Sequence, residues 1–192
     1  MMFKKFTIRW GVSAFSLAVI FGVCACSGNS TSPEESVIFP DSEEGQEFFS
    51  ESWREDCLDK INEYRATENL KPLALADDEK QACTDNQAAA DLLSNRAHGH
   101  FGNCGESAQN SGPNFSTSWQ KNASAVVDNY LKMMWEDEKA LVVSGERDPN
   151  KDEDYPYIGH YLNMKNTRYT KVACGMVLSA DGKKGWFNVN FF

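Results

Sequence analysis

Eleven residues, 97–107, read AHGHFGNCGES and hold His98, His100, Cys104, Glu106 and Ser107, while the chain's third histidine, His160, stands in IGHYLNM about sixty positions on. A neutral imidazole binds Zn2+ or another divalent ion through nitrogen, and carboxylates nearby orient the ring or a bound water. A His-x-His pair on an extended segment places both rings on one side, so His98 and His100 could chelate an ion by themselves. Two histidines and two carboxylates are also enough for metal-assisted hydrolysis or general acid–base work. No activated nucleophile accompanies them, because Ser107 follows Glu106 outside any G-x-S-x-G context.

These groups need elements to position them. Trp53, Cys57, Ile61 and Tyr64 recur at helical spacing with charges between them, which predicts an amphipathic helix that Pro72 ends. A second helix starts at Asp77 or Asp78 as its cap, with Ala82, Asn86, Ala89 and Leu93 on one stripe. Cys57 and Cys83, each near the start of a helix, are placed to face each other. In SAVVDNYLKMMWEDEKAL a single helix puts Val127, Tyr130, Leu131, Met134 and Glu138 on one side, with Glu136 almost opposite. A carboxylate on the buried side of a helix needs a partner, which singles out Glu138. Trp53, Met133, Met134, Trp135 and Trp186 read as packing residues.

Residues 108–124, rich in Ser, Asn, Gly and Pro, read as loop, as does the charged segment 142–157. YTKVACGMV alternates Val172, Cys174 and Met176 against Lys171, Ala173 and Gly175, a strand pattern, and WFNVNFF returns with Phe187, Val189 and Phe191 on one face. With a further strand around FGNCGE, the expected fold is α+β: a small antiparallel sheet covered by helices on both faces.

The N-terminus carries Lys4, Lys5 and Arg9, then an apolar run from Trp10 to Ala25 that is too short for a bilayer span. Its end, VCAC, resembles a bacterial lipobox, which implies that residues 1–26 are a lipoprotein signal peptide with Cys26 as the lipidated anchor. Residues 27–47 read as a flexible linker, leaving 48–192 as one domain. Without residues 1–26 the chain keeps 16 of its 19 basic side chains and all 28 acidic ones, a formal charge of −12, which makes nucleic acid a poor partner. The four cysteines of the body, Cys57, Cys83, Cys104 and Cys174, show no C-x-x-C spacing and read as two disulfides in an oxidising compartment, with three pairings open.

CLDKINEYRATENLKPL, FGNCGES, MMWEDE, GHYLNM and TKVACG, in that order, resemble the CAP superfamily of cysteine-rich secretory proteins, antigen 5 and pathogenesis-related proteins, in particular its bacterial SCP-like extracellular branch. The resemblance spans residues 53–192. It implies a three-layer α-β-α sandwich whose cleft gathers two histidines and two acidic residues: His98, Glu106, Glu138 and His160, with His100 as the alternative first histidine. It also implies a Cys104–Cys174 bridge between neighbouring central strands. Ser107 stands where the family usually has Asn, and LNM follows GHY where TQV is frequent.

The resulting expectation is an exported protein of the cell envelope, at an outer membrane or the cell surface, held by its N-terminal lipid. Its role would be a non-enzymatic binding module for a lipid, sterol or protein, with Zn2+ or another divalent ion between His98 and His160. Tyr155 and Tyr161 flank the cleft motif as ligand contacts. The alternative is a metal-dependent, protease-like hydrolase using the same His/Glu cleft.

Overall fold

A computed structural model describes residues 37–192. Residues 1–36, with the expected signal peptide and lipidation site Cys26, lie outside the described residues. The elements in chain order are β1 (Val37–Ile38), α1 (Trp53–Thr67), β2 (Ala74–Leu75), α2 (Asp78–Ser94), β3 (Ala108–Ser116), α3 (Ala123–Lys132), α4 (Glu138–Val143), α5 (Tyr155–Lys165), β4 (Lys171–Ser179) and β5 (Lys184–Phe191). The sheet has five strands in the order β1-β4-β5-β3, antiparallel throughout except that β2 runs parallel to the start of β4. Helices cover both faces, α2 on one and α1, α3 and α5 on the other, giving an α-β-α sandwich.

The two faces differ in chemistry. Val172, Cys174, Met176, Phe187, Val189 and Phe191 point to the α1/α3/α5 side and join Trp53, Ile61, Leu131, Met134 and Trp135 in the main apolar core. On the α2 side the sheet presents Asn188, Asn190, Gln109 and Ser111, and α2 answers with Gln81, Thr84, Asp85, Gln87 and Asp91, all buried. The expected α2 stripe of Ala82, Asn86, Ala89 and Leu93 is therefore not the packed one. Ala82, Asn86 and Leu93 are exposed; α2 instead buries Ala88, Ala89 and Leu92 against Val37, Val177 and Trp186 and sets its amides and acids over the polar part of the sheet. Gly175 permits the contact, since a Cβ there would stand 2.3 Å from the Thr84 backbone carbonyl carbon.

Four further sequence expectations are corrected. Residues 37–47 are not linker: Val37 and Ile38 pair with Ser179 and Leu178, and Glu43–Gly45 form a 3-10 turn capped by Ser42. Residues 101–104 are turns and 105–106 are irregular, and the strand is Ala108–Ser116, in the stretch whose composition suggests a loop. Its polar residues are satisfied within the sandwich, so no apolar alternation marks it. The expected long third helix is broken by one π-helical stretch, Met133–Asp137, between α3 and α4; such stretches are often found at functional sites. Met133 in that turn is 36% exposed, unlike the other four expected packing residues, which are buried.

The fourth of these is the disulfide pairing, Cys57–Cys174 and Cys83–Cys104. Cys57 belongs to the core on the α1 side together with Cys174, whereas α2 carries Cys83 on the other face of the sheet. A Cys57–Cys83 bridge would have to cross the sheet. Cys104 is in a turn rather than a strand beside β4, which leaves it next to the start of α2.

Candidate functional site

The cleft opens along the edge strand β3, where the loop after α2 meets α5. Asn95 ends α2 in the left-handed conformation with φ 50°, and His98 is also left-handed at φ 58°. Successive turns follow, with the amides of Gly99, Phe101, Asn103 and Gly105 donating to carbonyls three residues back. Glu106 organises this loop. Its carboxylate accepts from the backbone amides of Gly102 (2.6 Å) and Cys104 (3.0 Å) and from Gln87 Nε2 (2.6 Å). The Cys83–Cys104 bridge and Lys80, which donates to the Cys104 carbonyl, tie the loop to α2.

His160 sits on α5, which is entered through Pro156 and follows the charged loop. Its Nδ1 lies 2.5 Å from Glu138 Oε1, and the other carboxylate oxygen accepts the Tyr161 backbone amide at 2.9 Å. An ionised carboxylate can only accept, so this bond places a proton on His160 Nδ1, and the neutral ring then has its lone pair on Nε2. The partner that Glu138 needs on the buried side of its helix is thus this imidazole and the adjacent amide, reached just beyond the π-helical turn.

His98 Nδ1 lies 3.0 Å from Gln109 Oε1. His98 and His160 line one cavity of about 470 Å³, together with Phe101, Gln109, Tyr155, Asn163 and Tyr169. Phe101 and Tyr155 are half exposed at its rim, while the Tyr155 hydroxyl donates to Asn163 Oδ1 at 3.1 Å. Glu138 and Glu106 stand behind this lining rather than in it. His100 turns the other way, with Nδ1 2.8 Å from Asp91 Oδ1. The His-x-His chelate expected of an extended segment does not form, because the backbone turns between the two rings. Tyr161, expected at the cleft, is buried against Trp135 and donates its hydroxyl to Glu68 at 2.6 Å.

Ring nitrogen Nε2 of both His98 and His160 has no hydrogen-bond partner among the described residues. Imidazoles whose Nδ1 is engaged by an oxygen offer a donor nitrogen of the type that divalent ions such as Zn2+ take. Among the described residues no group of three or more His, Cys, Asp or Glu converges to hold an ion. Sequence reasoning did not identify Gln109, which sits in a stretch without a motif, or Asn163, which lies inside GHYLNM but was passed over beside His160. The buried polar face of β3 would have given Gln109 away only once the strand was known, and Asn163 only through its bond to Asn110 on that strand.

Comparison with solved structures shows a similar fold in the crystal structure of NaASP2 with Zn2+, at TM-score 0.53 and 16% identity, covering 74% of this chain and 80% of that one. Na-ASP-1 is also similar, at TM-score 0.49 and 19% identity, over 73% of this chain and 38% of that one. No curated protein sequence matches significantly. The model of the Cysteine-rich secretory protein family, CAP, matches residues 58–191, and the chain belongs to that family.

Proposed function

We propose that this CAP protein is an exported, lipid-anchored binding module whose cleft holds a divalent ion weakly between His98 and His160 and seats a lipid, sterol or protein ligand against Phe101, Tyr155 and Tyr169. The observation that carries this reading is the shared engagement of both Nδ1 atoms, which leaves two Nε2 atoms beside one cavity. A bound ion would supply Lewis acidity to a polar group of the ligand. His160 would be held for that role by Glu138, and the aromatic rim would take the apolar part of the ligand. The Zn2+ in the NaASP2 crystal structure supports zinc as the first ion to try. Two protein ligands, one fewer than the three of catalytic zinc sites, favour exchangeable binding over a permanent metal.

Calorimetric titration of Zn2+ into full-length protein extracted from membranes tests the reading, and the intact mass of the same sample reports whether Cys26 is lipidated. Stoichiometric uptake is expected, abolished in His160→Ala, unaffected in His100→Ala, and weakened about tenfold in Glu138→Gln. Absence of uptake, or uptake that survives His160→Ala, would overturn the ion site.

A further inference from the structure

His98 is the ring whose tautomer no carboxylate decides. Its Nδ1 meets an amide side chain, and an amide offers either an oxygen or an NH2. The buried hydrogen bonds beneath it remove that freedom. Thr84 Oγ1 donates its one proton to the Lys80 carbonyl (2.7 Å), so towards Asn190 it can only accept. This turns Asn190 Nδ2 to Thr84 (3.1 Å) and Asn190 Oδ1 to Gln109 (3.0 Å). Gln109 must then use Nε2 as the donor and present Oε1 to His98.

The other end of the chain of amides requires the same orientation. The Glu106 carboxylate and the His100 carbonyl both only accept, at 2.6 and 2.9 Å from Gln87, so Gln87 Nε2 faces them. Gln87 Oε1 is left to receive Asn190 Nδ2 at 2.5 Å and Gln109 Nε2 at 3.2 Å. Thr84 and Asn190 are fully buried and Gln87 and Gln109 nearly so, so water cannot substitute for a reversed amide.

We propose that Gln109 is a positioning residue of the cleft: a buried relay of amides, given its direction by Thr84 at one end and Glu106 at the other, holds His98 with its proton on Nδ1 and its lone pair on Nε2. A neutral imidazole in water carries its proton mostly on Nε2, the form that cannot bind an ion there. The relay therefore does for His98, with a neutral group, what Glu138 does for His160. It also gives Glu106 a part in the cleft that its place behind the lining conceals: it acts on the ring through two glutamines. That the freed lone pair serves an ion rests on the function proposed above; the tautomer itself does not.

Long-range proton–nitrogen spectra of the metal-free, 15N-labelled full-length protein in detergent micelles at pH 8 test this directly. Wild type is expected to show His98 as a single Nδ1–H tautomer. Gln109→Leu removes the acceptor and should shift His98 to the Nε2–H form, with Zn2+ affinity about tenfold lower. Gln109→Glu keeps the acceptor but loses both donors to Gln87 and Asn190. It should melt lower than wild type yet retain the Nδ1–H form, which a merely structural role for Gln109 would not produce. An Nε2–H form in wild type, its absence in Gln109→Leu, or its appearance in Gln109→Glu would overturn the relay. The wild-type spectrum decides even if a variant fails to fold. A wild-type protein with the expected tautomer that takes up no Zn2+ would leave the relay standing and overturn the ion site alone.

Discussion

Asp85 shows how one buried side chain contributes to the pH response of the fold. It is 5% exposed, between α2 and the sheet, paired with Arg54 and accepting the Met176 amide at 2.9 Å. Desolvation outweighs the Arg54 charge and that amide, with Asp41 adding repulsion, and its pKa is pushed up to about 7. The unfolded chain loses this proton near the ordinary aspartate value of about 4, so between about 4 and 7 the folded state binds the extra proton. Stability contributed by Asp85 is therefore fully present below about pH 4 and is lost as pH rises to about 7, by up to about 1.4 kcal/mol per unit. Urea titrations of wild type from pH 4 to 8 should show this decline, and Asp85→Asn should flatten it. At this same scale Glu138 was legible, since its place on the apolar stripe of its helix called for a partner. The choice between His98 and His100 was not legible from residue chemistry, because it depends on a left-handed turn at His98 that no alternation rule anticipates.

Elements were legible where apolar periodicity marked them and hidden where polar groups were buried in pairs. α1, β4 and β5 carry apolar residues at the spacing of their own geometry and formed where expected, except that α1 ends at Thr67, followed by left-handed Asn69, before it reaches Pro72. β3 packs Gln109, Asn110 and Ser111 inside the sandwich, bonded to Asn190, the His160 carbonyl and Asn188, so its sequence looks like a loop. Composition reports how polar a segment is; it does not report whether a matching polar surface awaits it. The same surface explains why α2 buries its amides and acids, and it makes the spacing between α2 and β4 a matter of backbone contact. Gly175→Ala should force the two apart, since the added Cβ meets the Thr84 and Asp85 backbone at 2.3 to 2.6 Å and no side chain there can move aside. We expect a loss of about 3 kcal/mol in denaturant unfolding. The effect should reach Gln81 and Asp85, whose side chains accept from the Cys174 and Met176 amides.

Among the described residues the sandwich is stapled once across each outer layer, and the two staples should do different work. Cys57–Cys174 joins residues 117 apart and ties α1 to the sheet; Cys83–Cys104 joins residues 21 apart and ties α2 to the loop that carries His98. In the chain-entropy account, loss of the longer closure costs about 5 kcal/mol and of the shorter about 3. Stability alone would thus rank the first bridge as the more important. The cleft reverses that order, because the 96–106 loop has few other ties to the body: the Glu106 carboxylate, Lys80 on the Cys104 carbonyl, Gln87 on the His100 carbonyl, the Arg96 amide on the Asp91 carbonyl and the two histidine contacts. Replacing Cys57 and Cys174 together by Ala should lower the unfolding midpoint more while leaving Zn2+ affinity within about twofold of wild type. Replacing Cys83 and Cys104 together by Ser should lower the midpoint less but weaken Zn2+ binding about tenfold, since His98 and Gln109 then meet only part of the time. Paired urea unfolding and calorimetric titration on the two variants separate these outcomes, and equal losses of affinity in both would show that the loop is held by the sandwich as a whole rather than by its own bridge.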